Sequence, residues 1–236
     1  MAEYNVPNVM ELKRKYSTLQ PQVDAIKAAL YDHILYPTAG AAQLNLFANP
    51  IGQGIATAPG AAVGSAKTIA DTNMKVASSV SAGEAFLVQG LEVDFYPGLS
   101  AAANTYTPAV PSVFAVAAAA AVAAQANDIA TFYQAGTLKL TVSQKTFVED
   151  GPMGVFPPRR RLEVDVAAST NSATVGEVAV VTARAGGMPY NILPFSLEPN
   201  VSFGVQLNYP GVVATPSGFN GRVGVRLIGL QYRNVQ

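Results

Sequence analysis

GEAFLVQGLEVDFYPG, Gly83 to Gly98, is the stretch on which the fold turns. Phe86 and Val88 share one parity, while Leu91, Val93 and Phe95 share the other. A period of two between apolar residues marks a half-buried strand, because successive side chains leave a strand on opposite faces. Gly90 stands where the parity changes, and a bulge there returns all five side chains to one inward face.

The same period governs most of the remaining chain. Leu44 alternates with Leu46, and Leu138, Leu140 and Val142 alternate with Lys139, Thr141 and Ser143. Leu162, Val164 and Val166 alternate with Glu163 and Asp165, and VGEVAVVTA, Val175 to Ala183, follows as a more fully apolar run. Val201, Phe203, Val205, Leu207 and Tyr209 form another alternating set. Near the C-terminus Val223, Val225 and Leu227 point inward with Arg222 and Arg226 outward. Ile228, Leu230 and Tyr232 then have the opposite parity, which predicts a second bulge near Gly229. Eight or nine strands with polar outer faces, joined by long Gly/Pro/Ser/Thr/Asn loops, predict an all-β antiparallel sandwich or barrel. Long connections favour a jelly roll over a meander of tight hairpins.

Two segments read as helix. Leu12, Tyr16, Leu19, Val23, Ile26, Leu30 and Ile34 recur at steps of three and four, which predicts an amphipathic N-terminal arm over residues 1–40, interrupted at Pro21 and ended by Pro37 and Gly40. The β domain then occupies residues 41–236, with one Ala-rich helix inserted at about 112–136, Ser112 at its start and Gly136 at its end.

Composition narrows the function. The 236 residues are half apolar and only 13% charged, with fifteen acids balanced by fifteen bases. Such a charge-poor surface suits close packing against other subunits, and neutrality disfavours nucleic acid as the main partner. There is no cysteine for a disulfide or thiolate site. The longest apolar run, Val113 to Ala124, is twelve residues, short of the roughly 20 a spanning helix needs.

Catalytic and metal chemistry find little to stand on. The one histidine, His33, sits beside Asp32 on the helical arm with no supporting motif. Glu92 with Asp94, and Glu163 with Asp165, are carboxylates two apart on a strand face, the geometry of a solvated or interface face more than of a glycosidase pair. Asp71 and Asn73 in ADTNM offer two oxygens to calcium, too few for a site, and suit a turn better. GQG at Gly52 to Gly54 lacks the helix start and Lys-Ser/Thr of a phosphate loop. No catalytic residue, metal ligand or cofactor is expected, and the chain reads as a non-enzyme. PPRRRLEVDVAAS, Pro157 to Ser169, delivers Arg159, Arg160 and Arg161 through an exposed loop to the start of a strand. Adjacent residues of an extended chain point to opposite sides, so the triplet suits pairing with carboxylates of neighbouring chains better than one flat phosphate patch.

LNLFANPIGQG, KTIADTNM with GEAFLVQGLEVDF, LPFSLEPNVSFGVQLNYP and GRVGVRLIGLQYRNVQ together resemble capsid proteins of small tailless icosahedral bacteriophages, the lineage of tectivirus-, corticovirus- and finnlakevirus-like particles. The resemblance covers about a third of the chain in short blocks. It implies a jelly-roll major capsid protein, located in the virion and in the host cytoplasm during assembly. Its partners would be copies of itself in trimeric or pseudo-hexameric capsomers, a vertex protein, and the membrane that many relatives enclose. Many relatives carry a double jelly roll. Sixteen strands of about 5–6 residues leave little room here for loops and helices, so a single jelly roll fits better, with a compressed double one as the alternative. On this reading Arg159, Arg160 and Arg161, with Leu12, Tyr16 and Leu19 of the arm, are the candidate subunit contacts. The rival readings are a carbohydrate-binding or adhesive β-sandwich module and, below it, a glycan-active enzyme of the same fold; the absence of tryptophan weighs against both.

Overall fold

A computed structural model describes residues 23–54, 66–99, 119–156, 160–169, 176–185 and 188–234. In chain order these form β1 (Val23–Tyr36), β2 (Gln43–Leu46), β3 (Glu84–Leu99), α1 (Ala119–Ala135), β4 (Thr137–Val142), β5 (Lys145–Pro152), β6 (Arg160–Ser169), β7 (Gly176–Ala185), β8 (Tyr190–Leu197), β9 (Phe203–Asn208) and β10 (Asn220–Asn234). Two four-stranded antiparallel sheets make a sandwich, one in the order β1-β10-β3-β8 and the other β2-β9-β4-β5. Strands β6 and β7 pair with each other as a separate two-stranded sheet.

The inward faces are the alternating sets that the sequence marks. Phe86, Val88, Leu91, Val93 and Phe95 of β3 meet Leu138, Leu140 and Val142 of β4 and Phe203, Val205 and Leu207 of β9 in one buried cluster. Burying a side chain of this size contributes roughly 1.5–3 kcal/mol, so this interior dominates stability. The end of α1 extends it: Phe132 stacks on Phe95 at 4.3 Å and meets Tyr36 and Tyr209 edge-on or tilted. The Tyr133 hydroxyl donates to the Val93 carbonyl at 2.7 Å, tying the helix to β3.

The bulge in β3 is present. Register against β8 and β10 skips Gln89, between Val88 and Gly90. Phe86 and Val88 thereby rejoin Leu91, Val93 and Phe95 on the inner face. The second expected irregularity also falls where the sequence puts it, between Ile228 and Gly229 against β3, but its extra residue is not in β10. β10 runs without a break along all fourteen residues of β1, so the extra residue belongs to β3 alone. Leu230 and Tyr232 therefore stay on the outer face, where they pack with Ala85 and Leu87 in a second small cluster. Gly229 is needed at this crossing, because a Cβ there would lie 1.8 Å from the Leu87 carbonyl oxygen.

The N-terminal helix is also corrected over its described part. Residues 23–36 are a strand, and a domain boundary at residue 40 cuts β1 away from the sheet it belongs to. Ile26, Leu30 and Ile34 are four apart, a spacing that satisfies a helical stripe and a strand face equally, since four is a multiple of two. The residue that would have separated the two readings is Asp32, an acid at an inward strand position between Leu30 and Ile34. Leu12, Tyr16 and Leu19 lie outside the described residues. The inserted helix is described from Ala119 to Ala135, and residues 112–118 lie outside.

The free edge of β1 is covered by ADTNM. Asn73 accepts from the Tyr31 N–H at 2.9 Å through Oδ1 and donates to the Ala29 carbonyl at 2.8 Å through Nδ2. The His33 N–H donates to the Asp71 carbonyl at 2.8 Å. Asp71 shapes the preceding turn by accepting from the Thr68 N–H and hydroxyl at 3.0 and 3.1 Å. Asp71 and Asn73 thus act on backbone, blunting an edge that could otherwise recruit another strand.

Candidate functional site

Three features of the described residues stand out from an ordinary sandwich. The first is a charge pair inside it. Asp32 is 0% and Lys67 2% exposed at the side chain, and Lys67 Nζ lies 2.6 Å from Asp32 Oδ1. The other carboxylate oxygen accepts from the Phe47 N–H at 2.6 Å. Phe47 is held at a positive φ of 66°, where only glycine is at ease. Phe47 in turn accepts from the Ser78 N–H at 2.8 Å, so Asp32 binds together β1, the turn after β2 and the loop carrying Lys67. Burial pushes the Asp32 carboxyl above its usual range, opposed by Lys67 and the Phe47 N–H.

The second feature lies on the outer face of the first sheet. Glu92 and Asp94 face outward together, as their spacing requires; of the solvated and interface faces that the sequence leaves open, their burial removes the solvated one. Arg226 on β10 sits between them, 2.8 Å from Asp94 Oδ2 and 3.7 Å from Glu92 Oε2. Four residues back along β10, Arg222 donates to the Ala70 carbonyl at 2.6 Å and pairs with Asp71 at 3.2 Å. His33 on β1 lies opposite Gly224, where a Cβ would come within 2.4 Å of the imidazole. Its Nδ1 is 2.9 Å from the Asp71 carbonyl, which makes Nδ1 the protonated nitrogen of a neutral ring. Both carboxylates are buried and salt-bridged, so the cluster clamps strands β1, β3 and β10 and is not placed to meet a substrate.

His33 makes this clamp sensitive to acid. Burial, and then the charge of Arg222, push its pKa from 6.5 down to about 4. Arg226 adds to the depression, while Asp71 opposes it. The unfolded chain takes up a proton below pH 6.5 that folded His33 refuses until about pH 4, so this contribution to stability is lost as pH falls through that window and is flat below it. The expected loss is at most about 3 kcal/mol. Denaturant midpoints of wild type and His33→Asn, compared from pH 7 to pH 4, should converge toward acid; parallel curves would mean that the ring is solvated.

The third feature is apolar. Strands β5 and β8 are the outermost strands of the two sheets on one side of the sandwich, closed against each other by the Phe147–Phe195 ring stack at 4.2 Å. Leu193 is 82% and Met188 78% exposed, with Tyr190, Phe147 and Val155 also open. Between β5 and the arginines the sequence predicts an exposed loop, GPMGVFPP. Instead Met153 and Phe156 are buried, and the Phe156 carbonyl accepts from the Val93 N–H at 3.2 Å. Of the arginines, Arg160 and Arg161 open β6 in register with Ala185 and Arg184, and Arg159 lies outside the described residues.

The buried Lys67–Asp32 pair has no signal in strand periodicity, and Arg226 with its two acids is marked only by outward parity. Among the described residues no group of His, Cys, Asp and Glu is arranged to hold a metal, and no helix is long and apolar enough to cross a membrane. Comparison with protein-family models, curated proteins and solved structures gives no match to this chain.

Proposed function

We propose that this protein is the major capsid protein of an icosahedral virion, a single jelly roll whose copies build the shell. The fold named in this reading is supported by the nesting of strand pairs. Leaving aside the β6–β7 hairpin, β1 pairs with β10, β2 with β9, β3 with β8 and β4 with β5. That is one long hairpin folded back on itself at the β4–β5 turn. Wrapping such a ribbon around a core places alternate pairs in opposite sheets and yields the observed orders, which is how a jelly roll with two Greek keys is built. Eight sandwich strands support one such unit, with β6 and β7 as an insertion between β5 and β8.

A jelly roll by itself also serves lectins and metal-binding cupins, so function rests on the surface. Cupin chemistry needs several imidazoles, and this chain has one, turned into the clamp. The low charge, equal numbers of acids and bases and the apolar β5–β8 flank support packing among identical copies. On this reading the protein acts without enzymatic activity or cofactor. It forms trimeric or pseudo-hexameric capsomers, meets a vertex protein, and can rest on an internal membrane without reading nucleic-acid sequence.

Electron microscopy of the purified protein tests this directly: closed shells or hexagonal sheets are expected, and persistent monomers would overturn it. Replacing Arg159, Arg160 and Arg161 with Gln should then change monomer stability by only about 0.5 kcal/mol per site while reducing particle yield strongly, because each lost contact recurs throughout a symmetric shell. Intact shells that fail to retain genome would assign the arginines to nucleic acid.

A further inference from the structure

Asp32 and Lys67 are fixed by their backbones as well as by each other. Asp32 lies in the β1 ladder opposite Val225 and bridges to Thr72 on its other side. The Lys67 N–H donates to the Gln53 carbonyl at 3.2 Å, and the Lys67 carbonyl accepts from the Gly52 N–H at 2.9 Å. The two residues are 35 apart in sequence, yet Nζ reaches Oδ1 at 2.6 Å with almost no side-chain surface open to water. Nζ therefore stands at most one C–O bond beyond hydrogen-bond distance from Cγ, close to the roughly 3–3.5 Å of a near-attack pair. As ions the pair is poorly satisfied. An ammonium carries three donors, and among the described residues only one of them finds an acceptor. Burial also pushes the Asp32 carboxyl upward, toward the neutral acid.

We propose that Asp32 and Lys67 condense into an isopeptide bond, an internal covalent link in a chain that has no cysteine. The freshly folded chain holds the ion pair. A proton passing from Nζ to Oδ1 along the 2.6 Å contact turns it into an amine and a carboxylic acid, a change favoured where water cannot solvate charge. The Nζ lone pair then attacks Cγ. The negative charge that this places on Oδ2 meets the Phe47 N–H, already 2.6 Å away and fixed by the positive φ of 66°, in the role of an oxyanion donor. A second Nζ proton moves to Oδ1, the Cγ–Oδ1 bond breaks, and Oδ1 leaves as water. The new amide keeps one N–H, so two of the three ammonium donors are gone, and Oδ2 still accepts from Phe47. Fixed placement replaces a chance encounter, and loss of water from a closed site opposes the reverse hydrolysis. The link fastens the start of the segment whose Asp71 and Asn73 cover the β1 edge. It lies within one chain and forms whether or not copies assemble.

The test is the mass of the full chain, folded and held at neutral pH and then denatured for mass spectrometry. Wild type is expected one water lighter than its sequence. Lys67→Arg, whose guanidinium keeps the charge but cannot form the amide, is expected at its full sequence mass. Trypsin cuts after free lysine, so a linked chain should stay uncut at Lys67 and release Ala28 to Lys75 as one product short of a water. A further cut after Phe47 should leave the pieces carrying Asp32 and Lys67 joined. Wild type at its full sequence mass would overturn the bond, as would a missing water that maps to other residues or a Lys67→Arg chain equally light. Should Lys67→Arg fail to fold, the wild-type digest still decides, because it locates the link by itself. Monomers and shells give the same digest, so the outcome is separate from that of the capsid reading.

Discussion

Replacing Lys67 with methionine is expected to lower folding stability by about 3–5 kcal/mol, because it strands the Asp32 carboxylate inside the sandwich. Both partners of the 2.6 Å pair are almost wholly shielded from water, and the remaining Asp32 oxygen already has its donor in the Phe47 N–H. The cost comes from the unpaired charge and not from the pair itself, since swapping a buried pair for apolar groups of similar volume is often neutral or better. The double variant Lys67→Met, Asp32→Leu should therefore recover most of what the single variant loses. Its recovery is limited by the Phe47 N–H, which loses its acceptor and costs about 1–3 kcal/mol. The single variant also carries a pH signature. Burial already raises the Asp32 pKa, and removing Lys67 removes the largest influence holding it down. A raised carboxyl stabilises the fold while protonated, so the deficit should grow as pH rises and shrink in acid. Urea titrations of both variants at pH 5 and pH 8 check it; an unchanged midpoint for Lys67→Met would show that water reaches Asp32.

Gly229→Ala is expected to cost about 3 kcal/mol or more, since overpacking that side chains cannot relieve falls at the severe end for single substitutions. The new Cβ would sit 1.8 Å from the Leu87 carbonyl oxygen and 2.9 Å from its carbon, both backbone atoms of the paired strand. Those atoms are held there by the bulge at Gln89, so relief would require β3 and β10 to separate. Two other glycines set the scale. A Cβ at Gly90 would approach the Pro189 ring at 3.1 Å and the Tyr190 carbonyl oxygen at 3.3 Å, a tight fit but no outright clash, and Gly90→Val should cost roughly 1–3 kcal/mol. At Gly204 nothing lies within 4 Å, and Ala there should be neutral or slightly stabilising through reduced freedom of the unfolded chain. Thermal or denaturant midpoints for the three variants should fall in that order. A Gly229→Ala protein as stable as Gly204→Ala would place the bulge elsewhere. Both large effects fall in one place, because β1, β3 and β10 make up most of one sheet.

Strand periodicity carried much of the architecture in the amino-acid sequence alone. Leu138, Leu140 and Val142, or Phe203, Val205 and Leu207, could face a core only as strands, and the parity change around Gly90 demanded a bulge. Local chemistry was enough there because one buried face leaves its mark on every second residue. Periodicity tells which face a residue takes but not which strand lies beside it, so the nested pairing of β1 with β10 and β3 with β8 was decided by tertiary structure. The same limit put the extra residue of the second bulge on the wrong strand, since Leu230 and Tyr232 have an outward cluster of their own. It also hid β1, where Asp32 interrupts the apolar alternation and is tolerated only because Lys67, far along the chain, neutralises it. Whether Glu92 and Asp94 are solvated or covered stayed open in the sequence for a related reason: their face follows from spacing, but their burial follows from what packs over them and from Arg226 on the neighbouring strand. A residue's parity is a property of its own strand, whereas its dielectric surroundings and charge partners belong to the assembled fold.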